Sequence, residues 1–85
     1  MKLESLMLWG WNGTDLSPLK GMPLKVLNVG ANANLRDILP LRDLPLKALY
    51  LNGTAVSDLA PLKGTRLTTL GYSGTQVTDL APIKD

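Results

Sequence analysis

Carboxylates and cations are the side chains of this chain that could carry acid–base chemistry, and both recur at a nearly constant spacing. The chain has seven acidic residues and nine Lys and Arg, but neither histidine nor cysteine. The acidic column is Asp15, Asp37, Asp58 and Asp79. Catalysis by a carboxylate pair needs one member in an unusual environment, whereas repetition places these four in similar ones. We therefore expect no enzymatic activity, no cofactor and no metal site.

The cations form a second column, which consists of Lys20, Arg42, Lys63 and Lys84. This column could bind an acidic partner or phosphate groups. The structural alternative is that each cation ends a helical turn begun by an Asp, which suits the local dipole and keeps that side soluble. The cations never form a run and the net charge is only +2, so nucleic acid is not an expected partner.

A third set of residues is suited to recognition. The candidate partner-binding residues are Met7, Trp9, Asn28, Tyr50 and Asn52. Aromatic side chains anchor protein interfaces, and amides can fix orientation by hydrogen bonds, so we predict that this set grips a protein or peptide. The alternative is mere compatibility with exposed strands, which Tyr and Trp favour. Binding of a carbohydrate or nucleotide ligand has only Trp9 and Asn52 to support it.

A fourfold repeat must position these residues. Leu3, Leu24, Leu46 and Leu67 open units 3–23, 24–45, 46–66 and 67–85, at steps of 21, 22 and 21 residues. Residues 48–52 alternate and predict a short strand, with Leu49 and Leu51 inward and Tyr50 outward. A period this strict indicates that each unit is one coil of a solenoid, and that the four coils form a single domain.

The rest of each unit predicts a tight turn and one short helical segment. Gly53 recurs as Gly10 and Gly74, with Ala31 in the second unit, which suggests a positive φ or a close approach. Each Asp of the acidic column is followed three residues later by a proline, which is tolerated only in a first helical turn. Because few residues remain before the next strand, we predict a single 3₁₀ or α turn. The extra residue of the second unit is placed within residues 30–34, where it can bulge without shifting the core.

The repeated pattern resembles a leucine-rich repeat. Each unit approximates Leu-x-x-Leu-x-Leu-x-x-(Thr/Asn)-x-Val, and its second half, Asp-Leu-x-Pro-Leu, is similar to the short bacterial repeats of the internalin type. The resemblance covers residues 3–83. It implies an α/β fold: a right-handed solenoid of four coils with a parallel sheet on the concave side and short 3₁₀ or α turns on the convex side. It also implies protein–protein recognition through the concave face, where the candidate binding residues would lie.

Two columns depart from the family pattern. The family's ladder residue, commonly Asn, bonds backbone groups of neighbouring coils, and this column is Trp11, Asn32, Thr54 and Thr75. A Thr hydroxyl can donate and accept, so we expect a reduced ladder, which Trp11 should end at the first coil because indole cannot accept. Tyr72 replaces a core leucine and needs a hydroxyl partner or an open edge.

The ends of the repeat array form another candidate surface, because they lack evident polar caps. The apolar residues expected there are Leu3, Leu6 and Leu8 at one end, and Leu70, Tyr72, Val77 and Leu80 at the other. We expect that the chain is a segment of a longer array or that its ends dock against another domain. End-to-end self-association of the chain would also cover them. The alternative is that Trp9 and Trp11 shield the first end and leave a marginal monomer.

The sequence thus predicts an interaction module that binds a protein or peptide on its concave face. The alternative function is a structural segment of a larger solenoid or scaffold. Glu4 and Ser5 interrupt the first apolar stretch, so neither a signal peptide nor a membrane helix is expected, and a cytoplasmic location follows only by default.

Overall fold

The computed structural model describes residues 4–78 and residue 80, and within them four short strands alternate with three turns of 3₁₀ helix. The strands are β1 (Ser5–Met7), β2 (Val26–Asn28), β3 (Ala48–Tyr50) and β4 (Thr69–Gly71). The 3₁₀ turns are Ser17–Leu19, Leu39–Leu41 and Ala60–Leu62. The predicted strand and single helical turn are confirmed, although β3 ends two residues before the predicted Asn52. The turn expected at 78–83 falls on residues of which only 78 and 80 are described, and Leu3 and Lys84 lie outside the described residues.

All four strands are parallel and lie in chain order, β1-β2-β3-β4, in one sheet. The predicted outward columns are in register: Ser5, Val26, Ala48 and Thr69 form one, and Met7, Asn28, Tyr50 and Gly71 form the next. Backbone bonds extend the pairing beyond the strands, with Leu8 N donating to Asn28 O at 2.7 Å and Leu51 N to Gly71 O at 2.7 Å. Each column is therefore a row of neighbours about 4.8 Å apart.

Most of the core is built from the inward positions of the second and third units, and Leu16 and Leu19 of the first unit are buried with them. Leu27 and Leu49, in the middle of β2 and β3, are fully buried. Leu6 and Leu70, at the same register in the outer strands, are only partly buried and pack against that core. Tyr72 is 38% exposed. Among the described residues, the outer units thus leave some apolar side chains only partly covered.

Left-handed backbone occurs at Asn12, with a φ of 64°, and at two columns of equivalent residues, one of which the repeat predicted. Gly10, Ala31, Gly53 and Gly74 have φ values of 67°, 59°, 73° and 70°, which confirms the predicted positive φ. The second column, Gly21, Asp43 and Gly64, lies just after the 3₁₀ turns and has φ values of 77°, 68° and 86°. Its signal was two glycines and one Asp at equivalent positions, since Asp tolerates this conformation better than most residues.

The acidic column has a structural role in the three units where it is described. The Oδ1 atoms of Asp15, Asp37 and Asp58 each accept a hydrogen bond of 2.9 Å from the backbone N–H two residues later. Ser17 also reaches Asp15 with its side chain, and the two hydrogen bonds lower the pKa of this exposed carboxyl. Each of these Asp therefore holds the entry to a 3₁₀ turn, as predicted; Asp79 lies outside the described residues.

The predicted ladder of side chains that bond the backbone of a neighbouring unit is confirmed for Asn32 and wrong for Thr54 and Thr75. Asn32 is fully buried, and its Nδ2 donates to Leu8 O at 3.0 Å, Val29 O at 2.7 Å and Gly30 O at 3.1 Å. Its Oδ1 accepts from the backbone N–H of Asn12. It thus joins the first unit to the second through backbone groups on either side of Trp11.

The Thr hydroxyls stay within their own units. Thr54 Oγ1 donates to Leu51 O at 2.7 Å, and Thr75 Oγ1 donates to Tyr72 O at 2.6 Å. The oxygen of Thr is attached directly to Cβ, so it lacks the reach of the Asn amide. A backbone bond from Ala55 N to Leu35 O, at 2.9 Å, joins the second and third units instead.

The extra residue of the second unit lies where it was predicted. Asn32 and Leu35 are both buried, like Thr54 and Val56 in the third unit, but two residues separate the first pair and one residue the second. The insertion is therefore at residues 33–34, which are exposed. A turn closed by Leu35 N donating to Asn32 O, at 3.0 Å, contains it and leaves the core columns in place.

Candidate functional site

The outward side chains of the four strands and the residues just after them form one continuous surface, which we call the sheet face. Its three rows are Ser5, Val26, Ala48 and Thr69; Met7, Asn28, Tyr50 and Gly71; and Trp9, Gly30, Asn52 and Ser73. None of these twelve residues is charged. The nearest charges precede the strands, where Lys25 Nζ lies 3.7 Å from Glu4 Oε2, both side chains are about half exposed, and Lys47 is exposed at the equivalent position before β3. The sheet face is therefore an uncharged surface with ions only at its margin.

The ring of Trp9 lies close to the backbone of the neighbouring unit at Gly30. A Cβ atom added at Gly30 would be 2.7 Å from Trp9 Cζ3 and 2.9 Å from Cε3, so only glycine lets the ring approach so closely. Gly30 does not have a positive φ, and its role is thus to provide space. The Trp9 side chain remains 57% exposed, which leaves a broad aromatic surface available to a ligand.

Gly71 plays the same part for Tyr50 and Asn52. A Cβ atom added at Gly71 would lie 2.8 Å from Asn52 Nδ2 and 3.1 Å from Tyr50 Cδ1. Gly71 pairs in register with Tyr50, so the ring reaches sideways over the neighbouring strand. Gly30 and Gly71 therefore leave space for the neighbouring larger side chains to pack close to the backbone of the sheet.

The two amides of the sheet face are oriented by backbone N–H groups. Asn28 Oδ1 accepts from Gly30 N at 2.9 Å, and Asn52 Oδ1 accepts from Ser73 N at 2.8 Å. Because a backbone N–H needs an acceptor, these bonds fix which end of each amide is the oxygen. Neither Nδ2 has an acceptor among residues 4–78 and 80. Each Asn thus offers N–H donors from a partly exposed side chain.

The structure brings all five predicted residues onto this one face. Met7, Asn28 and Tyr50 are register partners in adjacent strands, and Met7 is 72% exposed. Trp9 and Asn52 lie in the next row, on either side of Gly30. Sequence reasoning missed Gly30 and Gly71, although a glycine beside an aromatic residue in an outward strand column was a readable signal.

A second surface lies on the side of the 3₁₀ turns. Leu39 is 55% exposed there, whereas Ser17 and Ala60 occupy the equivalent positions. Lys20, Arg42 and Lys63 directly follow the three turns. Two shallow depressions of about 330 and 290 Å³ meet at Leu39 and Arg42, but Asp58 and Asp43 also line them. The charges of this surface are therefore mixed.

A third surface is an apolar hollow of about 190 Å³ beside β1. Leu6, Leu8, Trp11, Leu16 and Leu19 contribute to its lining, together with Asp15 and Pro18. Trp9 does not line it, and lies on the sheet face instead. The expectation that both tryptophans shield this end is thus wrong for Trp9, because Gly30 offers its ring a closer surface.

The part of the chain that the structure describes holds no group of three or more acidic, His or Cys side chains that could bind a metal ion. Within the same residues, no helix has the length and apolar character needed to cross a membrane.

No known family model matches this chain, and no curated protein is significantly similar to it. The resemblance to leucine-rich repeats therefore rests on the residue pattern alone.

Proposed function

We propose that this chain is a leucine-rich-repeat solenoid of four coils and that its sheet face, on the concave side, binds a protein or peptide. The support for the solenoid is the register of the four parallel strands, together with one 3₁₀ turn in each of the first three units. The single observation that carries the binding function is the convergence of Met7, Trp9, Asn28, Tyr50 and Asn52 on one uncharged face.

The arrangement has the composition of a binding surface. Exposed Trp and Tyr side chains are typical anchors of interfaces, because they bury a large area at a small cost in conformational entropy. Gly30 and Gly71 hold the rings of Trp9 and Tyr50 close to the sheet. The contacts of these rings with the sheet restrict their rotamers, which reduces the entropy that binding must overcome.

The test is selection of ligands from a phage-displayed library of short random linear peptides. Trp9→Ala combined with Tyr50→Ala should weaken binding of the enriched peptide by at least about tenfold, as expected for two anchor residues. Leu39→Ala is the matched control, since it removes an exposed apolar side chain from the opposite surface. If the double variant binds as well as the parent, the sheet face is not the binding site.

A second candidate function is a structural segment of a larger solenoid or scaffold. The half-buried leucines of β1 and β4 and the apolar hollow beside β1 favour it. Sedimentation equilibrium of the isolated chain separates the two functions. Concentration-dependent assembly that Leu8→Asp abolishes would support the structural role, while a monomer at all concentrations would argue against exposed ends as association surfaces.

A further inference from the structure

We infer that the sheet face recognises an uncharged, extended peptide segment whose backbone carbonyl groups accept hydrogen bonds from the side-chain amides of Asn28 and Asn52. This inference rests on the proposed function and names the chemistry of its partner. It follows from three properties of the face. The face has no charged residue, its two amide oxygens already accept hydrogen bonds from backbone N–H groups, and its two Asn residues lie diagonally in neighbouring units.

The lack of charge argues against a charged ligand. A charged group pressed against the twelve sheet-face residues would lose water without gaining a counter-ion, which is costly. At the margin, Lys25 and Glu4 are within 4 Å of each other and offset one another, and Lys47 adds one exposed cation before β3, outside the twelve residues. By contrast, the face of the 3₁₀ turns presents Lys20, Arg42 and Lys63 to solvent. A neutral segment therefore matches the sheet face better than an acidic or basic one.

The hydrogen-bonding groups of the face favour a ligand that brings acceptors. Gly30 N and Ser73 N already occupy the oxygens of Asn28 and Asn52, so the N–H groups are the ends left for a ligand. Asn52 Nδ2 lies above Gly71, on the outer side of the sheet. Backbone carbonyls are strong acceptors that every peptide carries. A sugar would bring hydroxyl donors as well, and each of these Asn oxygens already holds one N–H.

The diagonal placement of the two residues suits a segment that crosses the strands. Asn28 ends β2, and Asn52 follows Tyr50, the register partner of Asn28, by two residues. From the strand spacing and the rise along a strand, the Cα atoms of such a pair are about 8 Å apart, and Asn52 Nδ2 extends further, over Gly71 of β4. An extended segment that runs across the strands from Asn28 towards β4 passes both amides and Tyr50, which lies between Asn28 and Gly71 in their row.

Isosteric substitutions test the donor role. Asn28→Asp and Asn52→Asp keep an oxygen for Gly30 N and Ser73 N but replace the outward N–H₂ with an acceptor. Asn34→Asp is the matched control, because Asn34 is exposed in the loop of the second unit and adds the same charge away from the face. Circular dichroism and urea unfolding establish that each variant is folded before binding is measured.

The probe is the peptide most enriched from the random linear library, made synthetically. We expect a sequence without charged residues, an affinity that changes less than about twofold between low and high salt, and a loss of at least about tenfold in each sheet-face Asp variant. The Asn34→Asp variant should stay within about twofold of the parent. This combination of results would support the inference.

Other outcomes overturn it. Enrichment of charged peptides that still depend on Trp9 and Tyr50 would reject the neutral ligand and leave sheet-face binding intact. Peptides that tolerate the loss of both aromatic residues would reject the sheet face and the inference together. If no peptide is enriched, the inference also fails, and quenching of tryptophan fluorescence by a neutral oligosaccharide such as cellohexaose would assign the face to sugars.

Discussion

Ala31 has the same left-handed backbone conformation as Gly53, its equivalent one unit later. Their φ values are 59° and 73°, and a Cβ atom added at Gly53 would lie 3.6 Å from Ala31 Cα, an ordinary van der Waals distance. The fold thus requires a positive φ at this position whether or not the residue is glycine, and the second unit adopts it with a side chain that disfavours it.

The single substitutions Ala31→Gly and Gly53→Ala should therefore change the free energy of unfolding in opposite directions. Ala31→Gly should raise the free energy of unfolding by about 0.5–1 kcal/mol, because relief of the left-handed strain exceeds the added entropy of an unfolded glycine. Gly53→Ala should lower the free energy of unfolding by a similar amount, because alanine disfavours a positive φ. The loss should be no larger than this, since the new Cβ would meet no close contact. Urea unfolding of both variants provides the measurement, and effects of the same sign would contradict the explanation.

Gly30→Ala should lift the ring of Trp9 off the sheet. The new Cβ would lie 2.7 Å from the ring and 3.0 Å from Asn52 O, so we expect a loss of about 1 kcal/mol in stability and a more accessible indole. Acrylamide quenching measures this in a Trp11→Phe background, where Trp9 is the remaining one of two tryptophans. Gly13→Ala in the same background is the control, because Gly13 faces residue 11 and not Trp9; an equal effect there would mean a general loosening of the fold.

Asn32→Ala should be much more damaging than Thr54→Ala, although the two residues are equivalent. The Asn substitution leaves the carbonyls of Leu8, Val29 and Gly30 without this donor, and we expect a cost of about 2–4 kcal/mol. The Thr54 hydroxyl donates only to Leu51 O, so its loss should cost about 1 kcal/mol. Urea unfolding provides the comparison, and equal losses would show that reach between units is not what makes Asn32 important.

Ser17→Ala should raise the pKa of Asp15 towards its usual value, because it removes the side-chain hydrogen bond that is the largest cause of the lowering. The pKa is lowered in the folded chain, so the stabilising contribution is present above the unfolded pKa and is lost as pH falls through the folded one. An NMR titration of the Asp15 carboxyl measures the shift. The bond from Ser17 N remains in the variant, so a small lowering should persist; an unchanged pKa would exclude a role for the hydroxyl.

The strand register and the sheet-face columns could be predicted because the repeat length sets them. Once Leu27 and Leu49 occupy the same inward position, Asn28 and Tyr50 must be neighbours on the outer side. The insertion could also be located, since only a turn can absorb a residue without moving buried leucines. These predictions depend on spacing alone, which a sequence displays directly.

Features that depend on side-chain reach and direction were harder to predict. The ladder column did not reveal that Thr54 would bond within its own unit, because that depends on the length of the side chain relative to the distance between units. The alternation of the strand placed Trp9 on the outer face, but it did not show how closely its ring would approach the neighbouring unit, or that Trp11 would line the hollow. Both features depend on the space above Gly30 and Gly13, which becomes visible only when neighbouring units are superimposed.

The unequal burial of equivalent leucines has a consequence for how the molecule opens. Leu27 and Leu49 are sealed between neighbours, whereas Leu6 and Leu70 each have a strand on one side only among the residues described. Amide hydrogens of β2 and β3 should accordingly exchange with solvent far more slowly than those of β1 and β4, with a smooth gradient from the middle outwards. Local unfolding would then begin at β1 and β4 and proceed strand by strand towards β2 and β3. Because Met7, Trp9 and Tyr50 lie along that gradient, a ligand that spans them would slow exchange in β1 as well as at its points of contact.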